Sequence, residues 1–208
     1  MHIITKKVTL KPAPFVGTRI TVNIAENLTF TLCDLTLADT SESVTVSWGD
    51  GPVETFASHA VCTHTYSHPG RYEVRISDDV RTFTSLPAQT DTDRSAIIAV
   101  VSNARNLTVI STGAFGMCVN LATLDIDASA VNTLGYAAFA DCVSLPARLD
   151  LHGVRNLLMR GELLPFSGST TIREFHFSEA NEAAVKASAA YTADQTLGTG
   201  TAVCVFDP

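Results

Sequence analysis

The sequence predicts a mainly β protein with short helices: a β-sandwich over residues 1–86, a short solenoid of stacked repeats over 87–180, and a cap of helix plus strand over 181–208. Three observations predict it. The phrase A-F-x-x-C-V-x-L occurs at 114–121 and again at 138–145, so Phe115 and Phe139 stand 24 residues apart. A fixed period of this length marks units that cover their apolar faces only by stacking on one another. The first half carries no helical periodicity and is built of short runs that alternate apolar and polar side chains, the mark of half-buried strands. After the last repeat comes an alanine-rich stretch and then a final alternating run.

Taken in order, residues 18–24, 28–32, 44–48 and 72–76 are the strands of the sandwich, divided by turn signals at Gly49-Asp50-Gly51-Pro52 and His68-Pro69-Gly70. Residues 86–94 form a short polar junction. Each repeat opens on an apolar phrase, 107–110 in the first and 131–134 in the second, and continues through the phenylalanine turn to a short alternating stretch. Those stretches are Leu124-Asp125-Ile126 and Leu149-Asp150-Leu151. A third copy keeps Phe166 and ends in Phe175-His176-Phe177, but has Ser169 in place of the cysteine and extra residues over 154–164. Residues 178–191 predict a helix with its N-cap at Ser178 or a nearby residue; Gly198-Thr199-Gly200 turns into a strand over 202–206. Helix and strand then cover the open end of the stack.

The residues of the repeat resemble leucine-rich repeats of the BspA type, written I-x-x-x-A-F-x-x-C-x-x-L-x-x-I, over about residues 95–180. The first half is similar to the polycystic-kidney-disease (PKD) domain, an immunoglobulin-like sandwich whose G-D-G, H-x-Y and P-G-x-Y-x-V motifs match Gly49-Asp50-Gly51, His64-Thr65-Tyr66 and Pro69 to Val74 in order. The lead into the turn, Trp48-Gly49-Asp50-Gly51, is shorter than the family's W-x-F-G-D-G. These resemblances imply a non-enzymatic adhesion or binding module displayed outside the cell or on a bacterial surface, with a host or cell-surface protein or glycan as partner. The alternatives they leave are a phage tail or fibre protein in a virion and an accessory domain of a secreted hydrolase.

Composition narrows the classes further. In 208 residues, 46% hydrophobic content suffices for real cores. A formal charge of −7 without a stripe of Lys and Arg argues against nucleic acid as partner. No apolar run is long enough to span a membrane, and the first residues lack the pattern of a signal peptide. Five cysteines leave at least one unpaired; Cys118 and Cys142 take equivalent core positions, Cys204 sits in the last strand, and Cys33 and Cys62 are a disulfide candidate if the chain is exported. His59, Cys62, His64 and His68 are the cluster with metal-ligating residue types, yet the PKD resemblance accounts for His64 as a packing residue, so neither a metal nor a cofactor is expected. Asp50, between two glycines, suits a tight turn, and no nucleophile motif accompanies it, so no catalytic residue is assigned.

The candidate ligand residues follow from aligning the repeat strands. With Leu124, Leu149 and Phe175 turned inward, period-two alternation places Asp125, Asp150 and His176 in one outward row and Asp127, His152 and Ser178 in a second. Carboxylates on adjacent strands repel unless a cation or a basic group on a partner relieves them. This face, acidic at one end and histidine-containing at the other, is the predicted ligand surface.

Overall fold

The computed structural model describes residues 15–39, 42–126 and 130–208, and they form a mainly β protein with a few short helices. The strands of the first half are β1 Gly17–Ile24, β2 Thr29–Thr31, β3 Asp34–Leu37, β4 Val44–Ser47, β5 Val53–Phe56, β6 Thr63–Thr65, β7 Gly70–Ser77 and β8 Val80–Thr84. After helix α1, Asp91–Ala96, come β9 Ile97–Ser102, β10 Val109–Ile110, β11 Thr123–Ile126, β12 Thr133–Leu134, β13 Arg148–Asp150, β14 Asn156–Leu157 and β15 Glu174–Ser178. A 3-10 turn, Glu179–Asn181, then α2 Glu182–Ala187 and α3 Ala189–Ala193 lead to β16 Val203–Asp207.

Both halves of the chain supply strands to the two largest sheets. The six-stranded sheet runs β11-β9-β1-β7-β4-β5 and the five-stranded sheet β14-β12-β10-β8-β3. Within the first half the pairings are antiparallel, and β4 with β5 is a hairpin. From β8 and β9 onward they turn parallel, β8 with β10, β10 with β12, β12 with β14, and β9 with β11. The join at 86–94 is polar but is not an extended linker. Thr90 and Asp93 form a reciprocal capping box that starts α1, and the buried Asp93 carboxylate also accepts the Thr31 backbone N–H at 2.9 Å. The T-x-x-D spacing that builds the box lay in the predicted junction, hidden among residues that also read as turn formers.

The phenylalanines of the repeat form a ladder. Phe83, Phe115, Phe139 and Phe166 follow one another at ring-centroid distances of 5.8, 5.6 and 5.4 Å, and Phe175 closes on Phe166 at 4.6 Å. Each turn also bonds to the next through backbone: Phe115 N–H to Ala138 O, Phe139 N–H to Pro165 O, and Phe166 N–H to Leu197 O. The last of these reaches a turn without a phenylalanine, and so without the signature that marks the others.

The cysteine position is more than a small apolar site. Cys142 Sγ donates to Phe115 O at 3.0 Å, and Ser169 Oγ donates to Phe139 O at 2.6 Å while accepting from Cys142 N at 3.0 Å. Serine therefore does in the third turn what cysteine does in the second: a short side chain satisfies a carbonyl of the turn before it. The extra residues of the third unit are also fewer than the predicted span of 154–164. Val154 and Leu157 are buried like Val131 and Leu134, and β14 pairs with β12, so 154–157 is the apolar phrase itself. Ile110 to Phe115 and Leu134 to Phe139 are steps of 5 residues, Leu157 to Phe166 is 9, and the difference of 4 is taken up near an Arg160–Leu163 bridge.

The predicted C-terminal helix begins at Ser178, whose Oγ accepts from Ala180 N, but it breaks at Ser188 into α2 and α3. Extended backbone at Ser188 (φ −67°, ψ 149°) interrupts the helix, and its hydroxyl bonds back to Val185 O at 2.6 Å. The strand β16 forms where the final alternation predicts it and pairs in parallel with β15.

Candidate functional site

β13, β15 and β16 form a parallel sheet in that order, with Asp150 beside His176 and Ser178 beside Asp207 in register. Alternation buries Leu149, Phe175 and Phe177 and leaves Arg148, Asp150, Glu174, His176 and Asp207 on the other face. There the side chains converge on one carboxylate. Asp207 Oδ2 lies 2.7 Å from His176 Nδ1, 3.4 Å from His152 Nε2 and 3.9 Å from Arg148 Nη2. The second imidazole nitrogen, His176 Nε2, is 3.0 Å from Glu174 Oε2, and Arg148 is paired with Asp150 at 3.0 Å.

The electrostatics follow from this geometry. Burial of the His176 ring opposes its positive charge, but hydrogen bonds to Glu174 and Asp207 outweigh that, so its pKa lies above the usual histidine value. Asp207 is held below the usual carboxylate range, first by the His176 hydrogen bond and also by His152, against the opposing effect of partial burial. A raised histidine pKa favours folding fully below the unfolded value of 6.5, and that contribution is lost as pH rises through the folded pKa. A depressed carboxylate pKa favours folding above 3.8 and is lost as pH falls through its folded pKa. Thermal melts in a pH series should therefore show the melting temperature falling as pH rises from the unfolded histidine value through the raised folded one. His176→Gln should flatten that slope, and an unchanged slope would refute the coupling.

The predicted rows are brought together only in part. Asp150 and His176 are neighbours, and His152 follows β13 with its ring toward Asp207, but His176 is only 5% exposed because Glu174 and Asp207 close over it. Asp125 is exposed on β11, which belongs to the six-stranded sheet. Asp127 lies outside the described residues. Arg148 and Glu174 each sit two residues from a predicted site residue, so the same period-two rule reaches them. Asp207 needed the parallel register of the last strand, which composition alone does not supply.

In the first half, the motif residues gather around one turn. His64 stacks on the buried Trp48 ring at 5.1 Å, meets Tyr66 edge-on at 4.7 Å and bonds through Nε2 to Asp50 at 2.9 Å. Tyr66 donates to Trp48 O at 3.1 Å. Gly49 has φ +93°, and a Cβ there would stand 2.8 Å from Glu73 O, so both conformation and space require glycine. The histidines of the metal-like cluster go to separate partners, His59 to Asp34, His64 to Asp50 and His68 to Ser67. Among the described residues no group of three or more His, Cys, Asp or Glu is placed to hold a metal ion.

All five cysteines are free thiols, Cys33 and Cys62 included. Burial pushes Cys62, Cys142 and Cys204 up to about 12, so none of these is a thiolate near neutrality.

Comparison of the chain with protein families, with curated proteins and with solved structures finds no match. Among the described residues no helix is long and apolar enough to cross a membrane.

Proposed function

We propose that this chain is a non-enzymatic binding module displayed outside the cell or on a bacterial surface: a PKD-like sandwich carrying a short BspA-type leucine-rich-repeat solenoid. Its partner is a host or cell-surface protein or glycan. The observation that carries the reading is the polar face of β13, β15 and β16, where Arg148, Asp150, His152, Glu174 and Asp207 stand together on a sheet whose other face is packed. His176 ties β15 to β16 beneath that face through its Nδ1 bond to Asp207, while Nε2 bonds Glu174 on its own strand, so the ring orients the carboxylates on either side of it. Asp125 and Asp150 are exposed and offer carboxylates to a basic or hydroxyl-rich partner. The repeat motifs, the aromatic ladder and the turn-to-turn backbone bonds support the solenoid reading. The Trp48, Asp50, His64 and Tyr66 cluster supports the PKD-like one.

The test is binding of the labelled chain to mucin, matrix proteins, a glycan panel and whole bacterial cells. Saturable binding to host material is expected, and replacing Asp125 and Asp150 together by Asn should weaken it about tenfold. Both side chains are exposed and the Arg148 pair is a surface pair, so the melting temperature should move by no more than about 2 °C. Binding that survives the double substitution unchanged would overturn the sheet face as the ligand surface. Binding confined to bacterial cells would replace the host-directed reading with a phage or cell-wall one.

A further inference from the structure

Both ring nitrogens of His176 face carboxylate oxygens. Period two puts Glu174 on the same face of β15, with Oε2 3.0 Å from Nε2, and the parallel register of β16 brings Asp207 Oδ2 to 2.7 Å from Nδ1. Ionised carboxylates only accept, whereas a neutral imidazole has one N–H and one lone pair, so imidazolium alone satisfies both contacts. The two carboxylates are not held alike. Asp207 also lies 3.4 Å from His152 Nε2 and 3.9 Å from Arg148 Nη2. The Glu174 side chain is half-exposed and, among the described residues, has no hydrogen bond or ion pair besides the one to His176. The other charged groups on this side of the ring are Arg148 and Asp150 of β13, paired with each other at 3.0 Å.

We propose that His176 is a proton-operated latch between β15 and β16: as imidazolium it holds Glu174 and Asp207 together, and on losing one proton it keeps Asp207 and releases Glu174 to solvent. The proton leaves from Nε2, because the shorter bond and the other groups around Asp207 keep Nδ1–H in place. With a lone pair at Nε2, acceptor faces acceptor across 3.0 Å, and the half-exposed glutamate turns away. Burial opposes the charge on the ring, but the hydrogen bonds to Glu174 and Asp207 outweigh it, so release comes as pH rises through a value above the ordinary 6.5. Beyond that point a free carboxylate stands beside Arg148 and Asp150, and a basic group on a partner gains a contact that the closed latch denies it. That gain requires the sheet face to be the ligand surface proposed above; the latch itself does not.

The test is a pH titration of the full isotope-labelled chain, followed by the His176 ring nitrogens and by nuclear Overhauser contacts between that ring and the Glu174 methylenes. Nε2 should lose its proton while Nδ1 keeps it, and the contacts to Glu174 should fade with the same midpoint. Glu174→Gln, whose amide can donate to a bare Nε2 as well as accept from a protonated one, should lower that midpoint by about one pH unit. Three results would overturn the latch: deprotonation at Nδ1, contacts to Glu174 that persist through the histidine transition, or an unchanged midpoint in Glu174→Gln. Trilysine is the probe for basic partners, and it should shift the Glu174 carboxyl signal above the midpoint but not below it. Equal shifts on both sides would also overturn the release. Faded contacts with no response to trilysine would support the latch and count against the face as a surface for basic partners.

Discussion

Phe139→Ala should destabilise the chain by about 3–5 kcal/mol and separate the unfolding of its two ends. The ring is fully buried between Phe115 at 5.6 Å and Phe166 at 5.4 Å, nearly parallel to both, so truncation opens a cavity that no single neighbour fills. Phe139 stacks on one ring on either side, so its loss weakens the coupling between Phe115 and Phe166. A single domain has roughly 5–15 kcal/mol in hand, which makes this loss a large share of the whole. Trp48, the one tryptophan in the chain, is buried in the first half and reports there alone. Urea unfolding followed by Trp48 fluorescence and by far-ultraviolet circular dichroism should coincide in the wild type and diverge in Phe139→Ala. Coincident curves with a loss under about 1 kcal/mol would show that the ladder does not carry the stack.

That ladder was the most legible part of the fold. Two copies of one phrase sufficed because the buried positions, Phe115 with Cys118 and Phe139 with Cys142, are the ones the repeat keeps, and burial limits what a position accepts. Where the physics allowed substitution the pattern thinned: Ser169 meets the same carbonyl as Cys142, and the turn at Leu197 and Gly198 keeps the backbone bonds without any ring. The sheet pairings were less legible. Alternation shows that a run is a strand and which face it buries, but not its neighbour, so the passage of both sheets from the first half into the repeats was not predicted. The same limit applies to the candidate site. Asp150 and His176 were placed by period alone, whereas Asp207, the carboxylate on which the group converges, comes from a strand 31 residues after His176.

Asp93→Ala carries the second-largest expected loss, about 2–4 kcal/mol, because one buried carboxylate serves two distant pieces of chain. Oδ2 accepts from the Thr90 backbone N–H and hydroxyl, both at 2.7 Å, and Oδ1 accepts from Thr31 N–H at 2.9 Å. Alanine would unpair the start of α1 and leave the Thr31 N–H without its acceptor. Asp93→Asn discriminates between charge and acceptor count. Its amide presents oxygen on one side only, so an NH₂ must face either the Thr31 or the Thr90 N–H, donor against donor. Asparagine is therefore expected to recover less than half of the alanine loss, although its size barely differs from that of aspartate. Amide hydrogen exchange would locate the effect, with Thr31 and Thr90 losing protection in both variants while Phe139, in the ladder, keeps its own. If asparagine proved as stable as aspartate, one of the two bonded N–H groups would have to find another acceptor, and the link between β2 and α1 would not rest on Asp93.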